Sequence, residues 1–292
     1  MTHITDNNYD IRRAARTGNP IKYGNLYVYP MTVADYETLW NCESALTIRL
    51  SSLPVIYAIK PYAEALFDIA VRGEDVYSNG GDVVARSTDW YRFINLLCAS
   101  LHIPVNAIRN MMQIRVDNAQ NNRLTSISVR QFVEDQEIVQ TLSVQDLGNL
   151  RSIIASLNGR KLPDESENAE LAQAEQDIAS SSGAKLDVNL DSLLATVARD
   201  QRKRIKELDD WTIYEFELCR ASIERERRFT VYGIGEASGM VKFNNGNPFP
   251  SIFYDKPASI SAVVSASELT SRLSGAVQDA DSLPNLPMIT KK

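Results

Sequence analysis

The stretch from Ile213 to Ala237 constrains the fold most, because it reads as one long helix carrying two apolar stripes. Ile213, Phe216, Cys219, Ile223, Thr230, Ile234 and Ala237 fall on one face, and Tyr214, Leu218, Ala221, Phe229 and Tyr232 on another. Polar strips separate them, with Glu217, Glu224 and Arg228 on one side and Glu215, Ser222, Glu226 and Gly233 on the other. Such a helix is built to be packed from two directions. It is either a central core element or a helix that keeps one face for a partner.

The flanking sequence offers a cover for each stripe. Upstream, Leu190, Leu193, Leu194, Val197, Ala198, Ile205 and Leu208 predict a helix from Asn189 to Leu208, ended by Asp209-Asp210 and paired with the central helix as a hairpin. Its other side bears Arg199, Arg202, Lys203, Arg204 and Lys206, a solvated face or a dock for acidic sequence. Downstream, Gly239 is placed as a C-cap with Met240 for the accompanying apolar contact. A short strand at Val241-Lys242-Phe243 and a turn at Asn244–Pro248 then return Phe249, Ile252, Phe253 and Tyr254 to the helix pair.

Helix starts are marked by a recurring signature, a capping box with a hydrophobic staple. Thr32 with Asp35, Ser128 with Gln131, Ser143 with Asp146, Thr212 with Glu215 and Ser265 with Glu268 share the offsets, each preceded by an apolar residue that reaches another at the fourth helical position. The first predicted domain opens with a strand over Lys22–Tyr29. It continues with a helix from Pro61 to Val71 ended by Gly73, a turn at Asn79-Gly80-Gly81-Asp82, and a deeply buried helix from Asp89 to Leu101. Met112–Val116 and Leu124–Ile127 predict a β-hairpin, and two short helices follow, the second ending at Asn158-Gly159.

Composition bounds the rest. The 292 residues, 44% hydrophobic, suffice for one large or two modest domains. No apolar run reaches the roughly 18–20 residues a membrane span needs, and the polar start predicts no signal peptide. Cys42, Cys98 and Cys219 are widely spaced in apolar helical patterns, as expected of buried reduced thiols in a reducing cytoplasm. The net charge of −6 is concentrated between Lys161 and Asp187, where seven acids, Glu167 and Glu170 among them, face two lysines. A short helix is expected there over Asn168–Ile178. No broad basic face suggests nucleic acid.

Chemistry-bearing motifs are scarce. His3 lies in the polar arm, and His102 follows an apolar helix just before Pro104, where a structural histidine is expected. No HExxH, CxxC or Gly-x-Ser-x-Gly occurs, and no metal or cofactor is expected. Gly233-Ile234-Gly235 lies at a helix's end, the wrong dipole end for phosphate. Arg225 and Arg227 fall at the margins of the apolar stripes, where arginine either snorkels at a core edge or serves an interface.

Three segments carry a family resemblance: Leu150-Arg151-Ser152-Ile153-Ile154 through Leu157-Asn158-Gly159, then Trp211-Thr212-Ile213-Tyr214-Glu215-Phe216, then Glu236-Ala237-Ser238-Gly239-Met240-Val241-Lys242-Phe243. They resemble small helical proteins encoded in the tail-gene clusters of phages and prophages of Gram-positive hosts, among tail assembly chaperones and baseplate components. The resemblance spans loosely Leu124 to Asp255 and implies a non-enzymatic protein that binds other tail proteins: tape measure, tube or baseplate subunits. As a chaperone it would work in the host cytoplasm, and as a structural component it would remain in the virion tail. Arg225, Arg227, Tyr232, Glu167 and Glu170 are the expected interface residues. A site of carboxylates assembled only by folding is the enzymatic alternative.

The expected architecture is mainly α, an α+β chain with minor β. It comprises an arm over residues 1–20, an α+β domain over 21–160 with an antiparallel hairpin, an acidic linker over 161–187, a helical hairpin over 188–256 and a second arm over 257–292.

Overall fold

A computed structural model describes residues 7–77, 81–120, 122–134, 136–165, 189–239 and 251–253. The protein is mainly helical with small antiparallel sheets. In chain order the elements are helix α1 (Asn7–Thr17), strands β1 (Ile21–Tyr23) and β2 (Leu26–Val28), helices α2 (Tyr36–Thr47), α3 (Val55–Ala58) and α4 (Tyr62–Arg72), and strands β3 (Val76–Tyr77) and β4 (Val83–Ala85). Then come α5 (Asp89–Ser100), α6 (Ile108–Met111), β5 (Met112–Asp117), β6 (Arg123–Val133), β7 (Gln136–Ser143), α7 (Val144–Leu157), α8 (Leu190–Asp200) and α9 (Ile213–Ala237).

Helix α5 is the deepest element, as its all-round apolar sequence predicts. Phe93, Leu97 and Leu101 are fully buried, and Trp90 nearly so. It packs against α2, α4 and α7, and β6 of the three-stranded sheet β5-β6-β7 lies against α4 and α7. Burial of each large side chain contributes about 1.5–3 kcal/mol. Strands β1 and β2 are tied to the sheet, for Gln131 on β6 accepts from the Tyr27 amide at 2.9 Å and donates to the carbonyls of Tyr27 and Leu101.

Helix ends explain much of the local geometry. Gly159 adopts φ 69° and ends α7, with the Arg160 amide donating to Ala155 O at 2.8 Å and the Gly159 amide to Ser156 O. Both bonds define a Schellman motif. The same pair of bonds closes α5 at His102 (φ 52°) and α8 at Arg202 (φ 55°), where no glycine stands. His102 stacks on Tyr29 with ring centroids 4.0 Å apart, a structural role for this histidine.

Several expectations are corrected. The expected cap at Ser128 lies inside β6, where Ile127, Val129 and Gln131 alternate inward and Phe132 is exposed. Residues 128–133 and 136–142 therefore form strands of a second hairpin instead of a helix, because inward alternation and the β7 pairing outweigh a capping pattern. The strand predicted over Lys22–Tyr29 is a hairpin turning at Gly24, whose φ of 62° opens the turn. The predicted helix to Leu208 ends at Asp200, and Ile205–Leu208 form a 3-10 turn. Within the expected arm, residues Asn7–Thr17 are helical, and Ala14 and Ala15 are buried where α1 meets α7 and α9. Two small residues give no apolar stripe, yet they permit close helix approach.

Residues before and after the acidic segment share one core. The Val33 amide donates to Trp211 O at 2.8 Å, the Ile213 amide to Met31 O at 3.0 Å, and Thr32 and Thr212 form an antiparallel bridge. Thr32, which caps a 3-10 turn over Val33–Asp35 in place of the expected α-helix start, thus faces the Thr212 cap and joins the approach to α2 to the start of α9. The expected helix Asn168–Ile178, the Met240 contact, the strand at Val241–Phe243, the cap at Ser265, and Glu167, Glu170 and His3 lie outside the described residues.

Candidate protein-binding surfaces

Helix α9 divides into an inner and an outer half. Thr212 caps it, its hydroxyl accepting from the Glu215 amide at 3.1 Å. Ile213, Phe216 and Ile223 are buried, and Phe216 meets the Tyr36 ring edge-on at 5.6 Å and 77°. Tyr214 packs where a Cβ on Gly159 would sit only 3.0 Å from its ring, so the Asn158-Gly159 turn admits α9 by lacking a side chain. Asn158, fully buried, accepts from the Met31 amide and completes the junction.

An ion-pair network clamps this inner half. The Tyr36 hydroxyl donates to Glu217 Oε1 at 2.6 Å, and Arg220 Nε lies 2.7 Å from Glu217 Oε2. Arg160 stands between Glu43, at 3.2 Å, and Glu217, at 3.7 Å. Burial, then the hydrogen bond to Glu217, pushes the Tyr36 phenol up to about 12. Convergent carboxylates were the signature that an enzymatic site would need. Here Glu43 and Glu217 are each bridged to arginine, an arrangement that holds α2, α7 and α9 together.

Beyond Ile223 no residue of α9 is buried. Val231 and Ile234 are 67% and 64% exposed, and with Arg227 they share one face at helical spacing. Arg225 and Tyr232, both half-buried, lie with exposed Phe229 on another face, and each of the two holds an interaction within the chain. The two arginines singled out from sequence are therefore on opposite sides. Exposed Arg227 joins an apolar patch, and half-buried Arg225 does not. The basic residues Arg199, Arg202, Lys203, Arg204 and Lys206 are exposed, and Lys203 Nζ sits 4.3 Å over the Trp211 ring. Of the expected apolar return, Ile252 and Phe253 are described and both are exposed.

Sequence reasoning missed two features. Buried Arg151 donates to Leu46 O and Ile48 O at the end of α2 and lies 3.9 Å over the Tyr62 ring. Its partners are helix-terminal carbonyls, which attract cations but leave no sign in sequence. The second is a cleft of about 680 Å³ between α2, β4 and the start of α5. Its wall is organised by Asp89, nearly buried, which accepts from the Arg86 amide at 2.7 Å and from Arg92 at 2.9 Å.

Among the described residues, no group of three or more His, Cys, Asp or Glu side chains could hold a metal ion, and no helix is long and apolar enough to cross a membrane. All three cysteines are free, and burial pushes the Cys98 thiol up to about 12. Set against known proteins, the chain matches no family, no curated protein and no solved structure.

Proposed function

We propose that the protein works without catalysis, by binding other proteins through the outer half of α9, as a tail assembly chaperone of a phage or prophage. The observation that carries the binding reading is the Arg227, Val231 and Ile234 patch, where a helix rooted in the core presents apolar side chains and an arginine to solvent. An amphipathic helix of the tape measure protein suits such a surface, because apolar anchors at helical spacing can interleave with it. The tail assignment rests on the resemblance of the Leu150–Gly159, Trp211–Phe216 and Glu236–Phe243 segments.

Co-expression with tape measure, tube and baseplate proteins, followed by affinity co-purification, tests the reading. Recovery of the tape measure protein is expected, and recovery of none of them would overturn it. Protein analysis of purified particles then separates two roles. A chaperone is absent from finished virions, whereas abundance there would make the protein a structural tail or baseplate component.

A further inference from the structure

The cleft beside α2 has a feature unrelated to α9. It is lined by Asp82, Val83, Val84, Ala85 and Arg86, five consecutive residues. Successive side chains of a strand point to opposite faces, so a cleft that touches all three residues of β4, Val83, Val84 and Ala85, meets the strand at its edge. Strand β4 pairs with β3 alone among the described residues, leaving its second edge toward the cleft. The facing wall is one side of α2, formed by Trp40, Asn41, Ser44 and Thr47 at helical spacing. A groove between an open strand edge and a helix is the geometry in which an extended peptide adds a strand.

Charge specifies the peptide. The chain carries a net charge of −6, yet this cleft is lined by Arg49, Arg86 and Arg92 against Asp82 and Asp89. Asp89 is turned into the wall, where it holds the Arg86 amide, Arg92 and the Ser44 hydroxyl. Arg86 is exposed, and its charge faces that of solvent-exposed Asp75, itself held by the Ser87 amide and hydroxyl. We propose that this cleft binds an extended acidic peptide of a partner protein as a third strand on the β4 edge, with Arg86 and Arg92 meeting its carboxylates. Main-chain hydrogen bonds to β4 supply affinity, and the arginines supply the preference for acidic sequence.

The test uses the full chain and a fluorescent eight-residue peptide alternating glutamate with threonine and valine, read by anisotropy. Saturable binding that weakens with salt is expected. Arg86→Glu, whose fold is checked by circular dichroism, should weaken binding about tenfold or more, as loss and reversal of one charge contact implies. The same peptide methylated on alternate backbone nitrogens should not bind. Equal binding of the methylated peptide would overturn strand addition, and so would complete displacement by an equal concentration of inorganic phosphate, which would make the cleft a small-anion site. Absence of binding by the parent peptide would overturn the proposal outright. None of these results bears on α9, whose partner contacts a separate surface.

Discussion

Replacing Arg151 with methionine removes a buried cation that closes α2. Arg151 Nε and a terminal nitrogen reach Leu46 O at 2.9 and 2.6 Å, and the same terminal nitrogen reaches Ile48 O at 2.6 Å. The Tyr62 hydroxyl beneath it donates to Ala45 O. Arg151→Met keeps most of the apolar stem but orphans the carbonyls of Leu46 and Ile48. Each unsatisfied buried acceptor costs about 1–3 kcal/mol. Relief of guanidinium desolvation, which already lowers the Arg151 pKa, offsets part of that. A net loss of about 2–4 kcal/mol follows, a large share of the roughly 5–15 kcal/mol that holds an ordinary domain folded. Urea titration by far-UV circular dichroism should show a lower midpoint at unchanged slope. Arg151→Lys, which keeps the charge but not the fork, should fall between the two. A variant within about 0.5 kcal/mol of wild type, or more stable, would refute the reasoning, since the buried charge would then cost as much as its hydrogen bonds return.

Three further outcomes follow from the helix ends, the sheet and the clamp. Gln131→Leu should cost about 2–3 kcal/mol in the same titration, because it strands the Tyr27 amide and the carbonyls of Tyr27 and Leu101; a solvated residue at a helix start would cost only tenths. Arg202→Gly should raise the urea midpoint by up to about 1 kcal/mol of stability, since glycine carries no Cβ penalty at φ 55°, and a lower midpoint would show that the Arg202 side chain holds the turn. The Tyr36 phenol, at about 12 when folded, keeps its proton above the pH at which the unfolded chain loses it. Its contribution is therefore complete below about pH 10 and lost as pH rises toward 12, with a slope of up to about 1.4 kcal/mol per pH unit. Tyr36→Phe should flatten that segment of the alkaline stability curve, and an unchanged curve would contradict the burial.

Sequence periodicity located the elements whose packing follows one apolar stripe. Helices at Asp89–Ser100, Val144–Leu157 and Ile213–Ala237 lie where the patterns of Phe93 and Leu97, of Leu150 and Ile154, and of Phe216 and Ile223 place them, and the helix at Tyr62–Arg72 lies between the Pro61 and Gly73 that mark its ends. Capping signals were as legible where the hydroxyl truly starts a helix: Ser143 forms the full box with Asp146, and Thr212 its hydroxyl half, accepting from the Glu215 amide. Ser128 shows the limit of that signal. The same four-residue offset recurs by chance in a strand, and only the neighbouring alternation distinguishes the two. Other features had no local signature at all. Arg202 and His102 end helices in a left-handed conformation that sequence assigns to glycine. Arg151, Asn158 and Gln131 earn their burial from carbonyls and amides roughly 30 to 130 residues away. The cleft arises because β4 ends up opposite α2, a juxtaposition made by the fold. Among the described residues of the expected interface, Arg227 is the one whose exposure and apolar neighbours suit the role, and spacing alone could not separate it from Arg225.

Partner binding by the outer half of α9 can be measured directly. Wild-type protein and the double variant Val231→Glu with Ile234→Glu are compared for co-purification of the tape measure protein, with urea titration showing that the core is intact. Both side chains are exposed, so stability should change by no more than about 0.5 kcal/mol, while two acids placed in the centre of an apolar contact should abolish recovery of the partner. Undiminished recovery by a stably folded double variant would contradict the claim that this surface binds.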